Sequence, residues 1–333
     1  MVITGIGPVC RQALSVEDLR GDRAPEPAPG GATEGDWFQV ERHLGAKGYK
    51  YLTQATRYLL AATARALEDA RLTEGAYAPE ERGVFAGTNF AVHETLAGMD
   101  RTVLSVGAEG LQPMLAPNFS VNVVASHASI KHRYLAFNVT LTSGVVAGIE
   151  AALLGAAAIR KGRARHVLAA AVEGSPPPGA GALLGVPRAE GGACVLALES
   201  LDRARARGAP LYAALGPGLL RFIGESGSAP LAGLRGALDE VLARLSPRAP
   251  IPYCALSAPF ARAREVDEIA RVAFAARGLS LLPLAAAGHD GSLVAVSPLL
   301  ALAALAVTHG RGVVLAASPQ GNVALLSLEE VAS

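Results

Sequence analysis

The sequence predicts an α/β protein in five layers, α/β/α/β/α, duplicated from two related halves around two central buried helices. Three observations carry this expectation. Residues 144–159 read as a helix whose only charged side chain is Glu150, and the stretch running to about Val307 is a second helix with none. A helix apolar on every side needs cover on every side. Each is followed by a glycine and an apolar strand: Gly162 to Ala170 echoes Gly310 to Ala317, with Val167 and Val314 lying 147 residues apart. The order strand, tight turn, buried helix, glycine, strand thus occurs twice, as expected if the two helices pack together between two sheets. We expect a single domain over residues 1–333, with halves at about 1–198 and 199–333.

The elements follow in order. Val2 to Gly7 is a short strand ending at glycines, and residues 21–36 are dense in Pro and Gly, as in an exposed loop. A helix runs from Thr53 to about Ala70, with Ala55, Leu59, Ala62 and Ala66 on one stripe. Gly83 to Gly87 is a strand, and His93 to Val103 and Phe119 to Ile130 are helices. Asn138 to Leu141 alternates with β-branched residues as a strand should, and Thr142 or Ser143 is placed to cap the first central helix. Arg160 and Lys161 suit its negative end, with Gly162 just beyond. The second part brings strands at 166–172 and 193–198, a Pro/Gly-rich loop over 175–192 between them, and a charged crossover into another strand. Helices at 231–245 and 266–276 then alternate with strands at 252–256 and 280–284. The second central helix and paired strands at 313–317 and 323–326 close the chain.

Composition excludes several classes of function. A net charge of +1, with Arg and acidic residues evenly mixed, gives no basic face for nucleic acid, and 5% aromatic residues leave little for base stacking. Cys10, Cys194 and Cys254 are far apart, without metal-ligand spacing, and read as buried thiols of a reducing cytoplasm. His43, His93, His127, His132, His166 and His309 likewise show no metal spacing. Met1 to Gly7 reads as a strand rather than a signal peptide, and the apolar segments are short and Ala-rich for a membrane span. No cofactor motif is present.

With these elements in place, the chain resembles the β-ketoacyl synthases of the thiolase-like superfamily along nearly its whole length. VITGIG at 2–7 and GVFAGT at 83–88 look like their first two strands, and RYLLAATARALEDARL at 57–72 is similar to the helix between them. EGGACVLALESLDRARARGAPLYAAL at 190–215 resembles their glutamate-glycine strand, charged crossover and next strand. Gly288 and His289, before an apolar helix, match their second histidine motif. The resemblance implies the duplicated thiolase-like fold.

It also implies an active site that this chain lacks. The family places a cysteine at the turn before the central helix, where dipole and backbone N–H groups lower its pKa and hold the thioester oxyanion. Aligned on VTLTSG, that position is Leu141, which forms no thioester. The first of two histidines falls at Ser257, the second is kept as His289, and the lysine position lies near Leu284. The gating loop is reduced to Ser318 to Asn322, and the chain is shortened between Val172 and Glu190 and before Pro252.

The resemblance therefore points to the chain-length factors of type II polyketide and aryl-polyene pathways. These cysteine-less subunits pair with an active ketosynthase, with strands such as Asn138 to Leu141 continuing the partner's sheet. Those factors carry glutamine where Leu141 stands here. The expected partners are an active ketosynthase or a second copy, and an acyl carrier protein. Two other readings stand beside this one. One is altered acyl-thioester chemistry, decarboxylation or hydrolysis, by His289 with Ser143 or Ser257. The other is an acyl or carrier-protein binding module, its acidic partner met by Arg160, Arg163 and Arg165.

Overall fold

The computed structural model describes residues 1–20, 37–176, 179, 190–222, 229–244, 251–257, 263–283, 292–318 and 321–331. The expected loop over 21–36 and most of that over 175–192 lie outside them.

The first half contains β1 (Val2–Val9), α1 (Val40–Leu44), α2 (Gln54–Asp69), β2 (Arg82–Gly87), α3 (His93–Ser105), α4 (Val123–His132), β3 (Phe137–Leu141), α5 (Ala147–Arg160), β4 (His166–Glu173) and β5 (Gly192–Glu199). After α6 (Leu201–Ala206) come β6 (Ala213–Phe222), α7 (Ala229–Leu242), β7 (Ile251–Ser257), α8 (Ala263–Ala276), β8 (Leu281–Pro283), α9 (Val296–Thr308), β9 (Gly312–Ala317) and β10 (Asn322–Glu329). The strands pair in the order β3-β2-β4-β5-β1-β6-β10-β9-β7-β8. Numbered within its own five, each half reads 3-2-4-5-1 from its outer edge inward. The halves meet at β1 and β6, through the pairs Val2 with Ala214 and Ile3 with Ala213.

Layering follows from which faces are apolar. Helix α2 covers β1, β4 and β5, with Ala55, Leu59, Ala62 and Ala66 buried as their helical spacing requires. Its fit on β1 explains the glycines of the first strand. A Cβ on Gly5 would lie 2.1 Å from the Ala66 carbonyl oxygen, and one on Gly7 would lie 2.0 Å from that of Ala62. Helices α5 and α9 pack against each other, and both touch strands of the two halves. Helices α7 and α8 cover β6 and β7 on the far side. Three apolar cores result, one around the central pair and one beneath each outer layer.

Local chemistry sets the element ends. Thr53 caps α2 by accepting the Thr56 N–H at 3.2 Å. Gly162, with φ of +66°, ends α5 while its own N–H and that of Arg163 reach back to the carbonyls of Ile159 and Ala158. Two helices start later than their composition suggests. Residues 113–119 form a 3-10 turn containing Pro117, and α4 opens only at Val123, after a turn from Ser120. The second central helix opens at Val296 because buried Val294 sits at φ +48°, a left-handed conformation that no helix continues through. None of the helices among the described residues is long and apolar enough to cross a membrane.

The tightest point between the central helices is Gly148, where a Cβ would lie 2.4 Å from the Ala295 carbonyl oxygen and 3.1 Å from the Leu299 Cβ. Gly148→Ala must therefore move α9 away, and we expect it to cost about 1–3 kcal/mol in denaturant unfolding. An unchanged midpoint would show that the helices do not approach this closely.

Candidate functional site

The site implied by the sequence lies where β3 hands over to α5. Parallel pairing of β2 with β3 runs to Gly87 opposite Leu141, and the Thr88 N–H extends it by donating to the Leu141 carbonyl at 2.9 Å. Leu141 is thus the last residue of the strand, with its side chain packed against the central core. The helical turns begin three residues later, as a 3-10 turn over Gly144–Val146 that leads into α5. The buried side chains of that first turn are Val145 and Val146. The expected cap is also different. Ser143 does not cap a backbone N–H; its hydroxyl donates to Oε2 of Glu150, one turn into α5.

The Gly144 peptide is held instead by Asn89. The Asn89 Oδ1 accepts the Gly144 N–H at 3.1 Å, and its Nδ2 donates to the Gly144 carbonyl at 3.2 Å. Asn89 is fixed in turn by Glu173, the last residue of β4, which is fully buried. The Glu173 carboxylate accepts from the Asn89 N–H at 3.1 and 3.0 Å, from Asn89 Nδ2 at 2.9 Å, from the Phe90 N–H at 2.7 Å and from the Thr88 hydroxyl at 3.3 Å. The Ala295 N–H, at the start of α9, reaches the same carboxylate at 3.4 Å. One carboxylate therefore links the turn before each central helix.

Other expected residues take no part in a described constellation. Ser257 ends β7, with its side chain outside the described residues, as are Leu284, Gly288 and His289. Of the expected gating loop, Ser318, Gly321 and Asn322 are described; the Ser318 N–H donates to the Asn322 carbonyl at 2.8 Å, closing a tight β9–β10 turn. Cys10 and Cys194 are free and buried, and burial pushes the Cys10 thiol up to about 12 and Cys194 higher still, so neither supplies a thiolate. Among the described residues no group of three or more His, Cys, Asp or Glu could hold a metal ion.

A second buried polar cluster lies at the opposite end of the strands. Glu199, closing β5, accepts from the Thr4 hydroxyl at 2.7 Å, the Tyr77 hydroxyl at 2.5 Å and the Arg207 guanidinium. His166, opening β4, shares a 2.9 Å hydrogen bond with Tyr134. No sequence motif singles out Asn89, Glu173 or Glu199. For the two glutamates a signal was there: each is a lone acid ending a strand that is otherwise apolar, a place where a carboxylate persists only with partners.

Burial raises the Glu173 carboxyl to about 7, the donors of Asn89 and Phe90 pulling the other way, and lowers His166 to about 4. The two act on stability with opposite sign. Glu173 keeps its proton above its ordinary value of 4.5, so its contribution is largest at low pH and declines as pH rises through 4.5 to about 7. His166 resists protonation, so its contribution is complete above 6.5 and is lost as pH falls toward about 4. Glu173→Gln removes the first term. Its unfolding free energy should fall more steeply on acidification from pH 7 to 5 than that of the unmodified protein, and parallel curves would contradict the assignment.

Comparison with known proteins places this geometry. Residues 5–186 match the family model of the β-ketoacyl synthase N-terminal domain. Two solved structures superpose at a TM-score of 0.80, each with 99% of both chains covered. One is the type II polyketide acyl-carrier protein complex AntDE:AntF with its ketosynthase bound to the hexaketide, at 18% identity. The other is the ishigamide ketosynthase/chain length factor, at 21% identity. A β-ketoacyl synthase from Burkholderia phymatum STM815 follows, with a TM-score of 0.71, 18% identity and 99% of both chains covered. No curated protein sequence matches. The family model spans more than half of the chain, and its thiolase-like layers are those built above: the protein belongs to the β-ketoacyl synthase family.

Proposed function

We propose that this chain is a non-condensing, chain-length-factor-like subunit that pairs with an active β-ketoacyl–ACP synthase in a polyketide, aryl-polyene or fatty-acid type of biosynthesis. The observation that carries the reading is the surface around β3. This strand is an outer edge of the sheet, paired on one side with β2. Val139 on the strand, Ile130 at 73% exposure on α4 and Leu135 between them are turned to solvent. Leu104 at 87%, Val106, Met114 and Phe119, on the stretch that precedes α4, are exposed as well. An open strand edge flanked by large apolar side chains is an association hazard unless another chain covers it. A second strand in register with β3 would do so.

The helix start beside that edge supports a role without condensation. Neither Leu141 in the strand nor Val145 in the first helical turn offers a thiol, and the Gly144 N–H is taken up by Asn89. Altered acyl-thioester chemistry has one feature in its favour, the hydrogen bond from Ser143 to Glu150, and we read that bond as part of the helix start. We read the chain as one domain of two halves, supported by the shared strand order.

The arginines expected to meet a carrier protein lie away from the Gly144 turn. Arg160 and Arg163 are exposed and Arg165 pairs with Glu81 at 2.8 Å, all at the far end of α5. That is about 20 Å along the helix from Gly144. We therefore assign the carrier protein to the joint surface with the partner.

Co-expression with a complete ketosynthase of the same organism should give a stable one-to-one complex. Ile130→Glu together with Leu104→Glu should lower the recovered partner at least tenfold while leaving the thermal midpoint of this chain within a degree or two. A homodimer indifferent to the ketosynthase would sink the proposal. Turnover of malonyl or acyl thioesters of the carrier protein by the isolated chain would favour the chemical alternative.

A further inference from the structure

The buried carboxylate of Glu173 has more to do than fill space at the end of β4. Five donors converge on it: the Thr88 hydroxyl, the N–H groups of Asn89, Phe90 and Ala295, and the Asn89 side-chain amide. No charged side chain is among them. The consecutive N–H groups of Asn89 and Phe90 form a nest, the backbone concavity that selects an anion. The Ala295 N–H adds the positive start of α9. Among the described residues this ring holds no counter-ion, and the Thr88 hydroxyl is its one group that can also accept a hydrogen bond.

What the carboxylate holds is as informative as what holds it. Asn89 grips Glu173 through its N–H and Nδ2 while gripping the Gly144 peptide through Oδ1 and Nδ2. Ala295 faces Glu173 with its N–H and Gly148 of α5 with its carbonyl. Following the contacts from Gly144 through Asn89, Glu173 and Ala295 to Gly148 returns to the helix where the path began. The two segments joined, 88–90 and 292–295, belong to different halves of the chain, and no ladder pairing connects them. Val294, held in a left-handed conformation beside Ala295, needs just such an external tie to stay there.

We infer that Glu173 is a positioning residue, a buried carboxyl group whose seat among the donors of residues 88–90 and 295 holds the starts of both central helices in register. The turn at Gly144 thereby keeps its shape with no substrate present. The inference concerns the architecture of the turn and stands whether or not the protein pairs with a ketosynthase.

If the nest is an anion seat, it accepts a small carboxylate once the side chain is gone. The experiment follows amide hydrogen exchange and thermal unfolding in Glu173→Ala and Glu173→Gln, with and without formate, using formamide at equal concentration as the neutral control. In Glu173→Ala we expect exchange at Asn89, Phe90, Gly144 and Ala295 to accelerate at least tenfold, with β6 and β10 unaffected. Formate should restore protection and formamide should not. Glu173→Gln keeps the volume but turns an NH2 group toward N–H donors, so it should open the same four positions. Should Glu173→Ala not fold, the Glu173→Gln pattern decides. Wild-type protection at Gly144 and Ala295 in Glu173→Gln, or equal rescue of Glu173→Ala by formate and formamide, would overturn the inference and leave Glu173 as a polar residue of the core with no positioning role.

Discussion

Two helices without a polar face set the terms for the rest of this molecule. Buried residues of α9 run from Val296 to Ala306 without a break, and those of α5 include Ala147, Gly148, Ile149, Ala151 and Ala152. Such helices cannot be finished by the strands of one half, because those strands cover one side only. Each half of the chain therefore supplies five strands of the one ten-stranded sheet and a helix, where the sequence suggested two sheets, and each helix is completed by the other half. The outer helices then cover the outer faces of the sheets. Close contact at Gly148 follows from the same requirement, since helices with small residues at their crossing approach until backbone meets backbone.

Much of this was legible because burial on all sides leaves a mark in sequence. The central helices, the strands that follow them and the duplicated order came from unbroken apolar runs punctuated by Gly162 and Gly310. Strand order was not legible, because pairing partners such as β1 with β5 depend on contacts far apart in the chain. Helix starts were less legible still. Thr53 behaves as its residue type suggests, whereas Ser143 turns its hydroxyl to Glu150 and leaves the backbone to Asn89, more than fifty residues upstream. No local pattern announces a tertiary cap. For the same reason, placing Leu141 at the helix start was a matter of spacing in the strand-turn motif, and the structure puts Thr142 and Ser143 between it and the first helical turn.

The site and the surface fit together in physical terms. At the start of α5 this chain buries Val145 and Val146 and closes the polar groups of Asn89, Gly144 and Glu173 on one another. Where a finished monomer would protect a sheet edge, it leaves β3 open among apolar side chains.

The seam between the halves bears on how the chain is made. The five strands of the first half lie before residue 200, so that part of the sheet can assemble while the remainder is still being synthesised. Helix α5 would then stand covered on one side alone until Val296–Thr308 emerges to pack against it. A nascent chain paused in that condition presents a bare apolar helix to solvent. Its yield in a foreign host would depend on chaperone supply and on translation speed between β5 and α9, even though the finished fold is well packed.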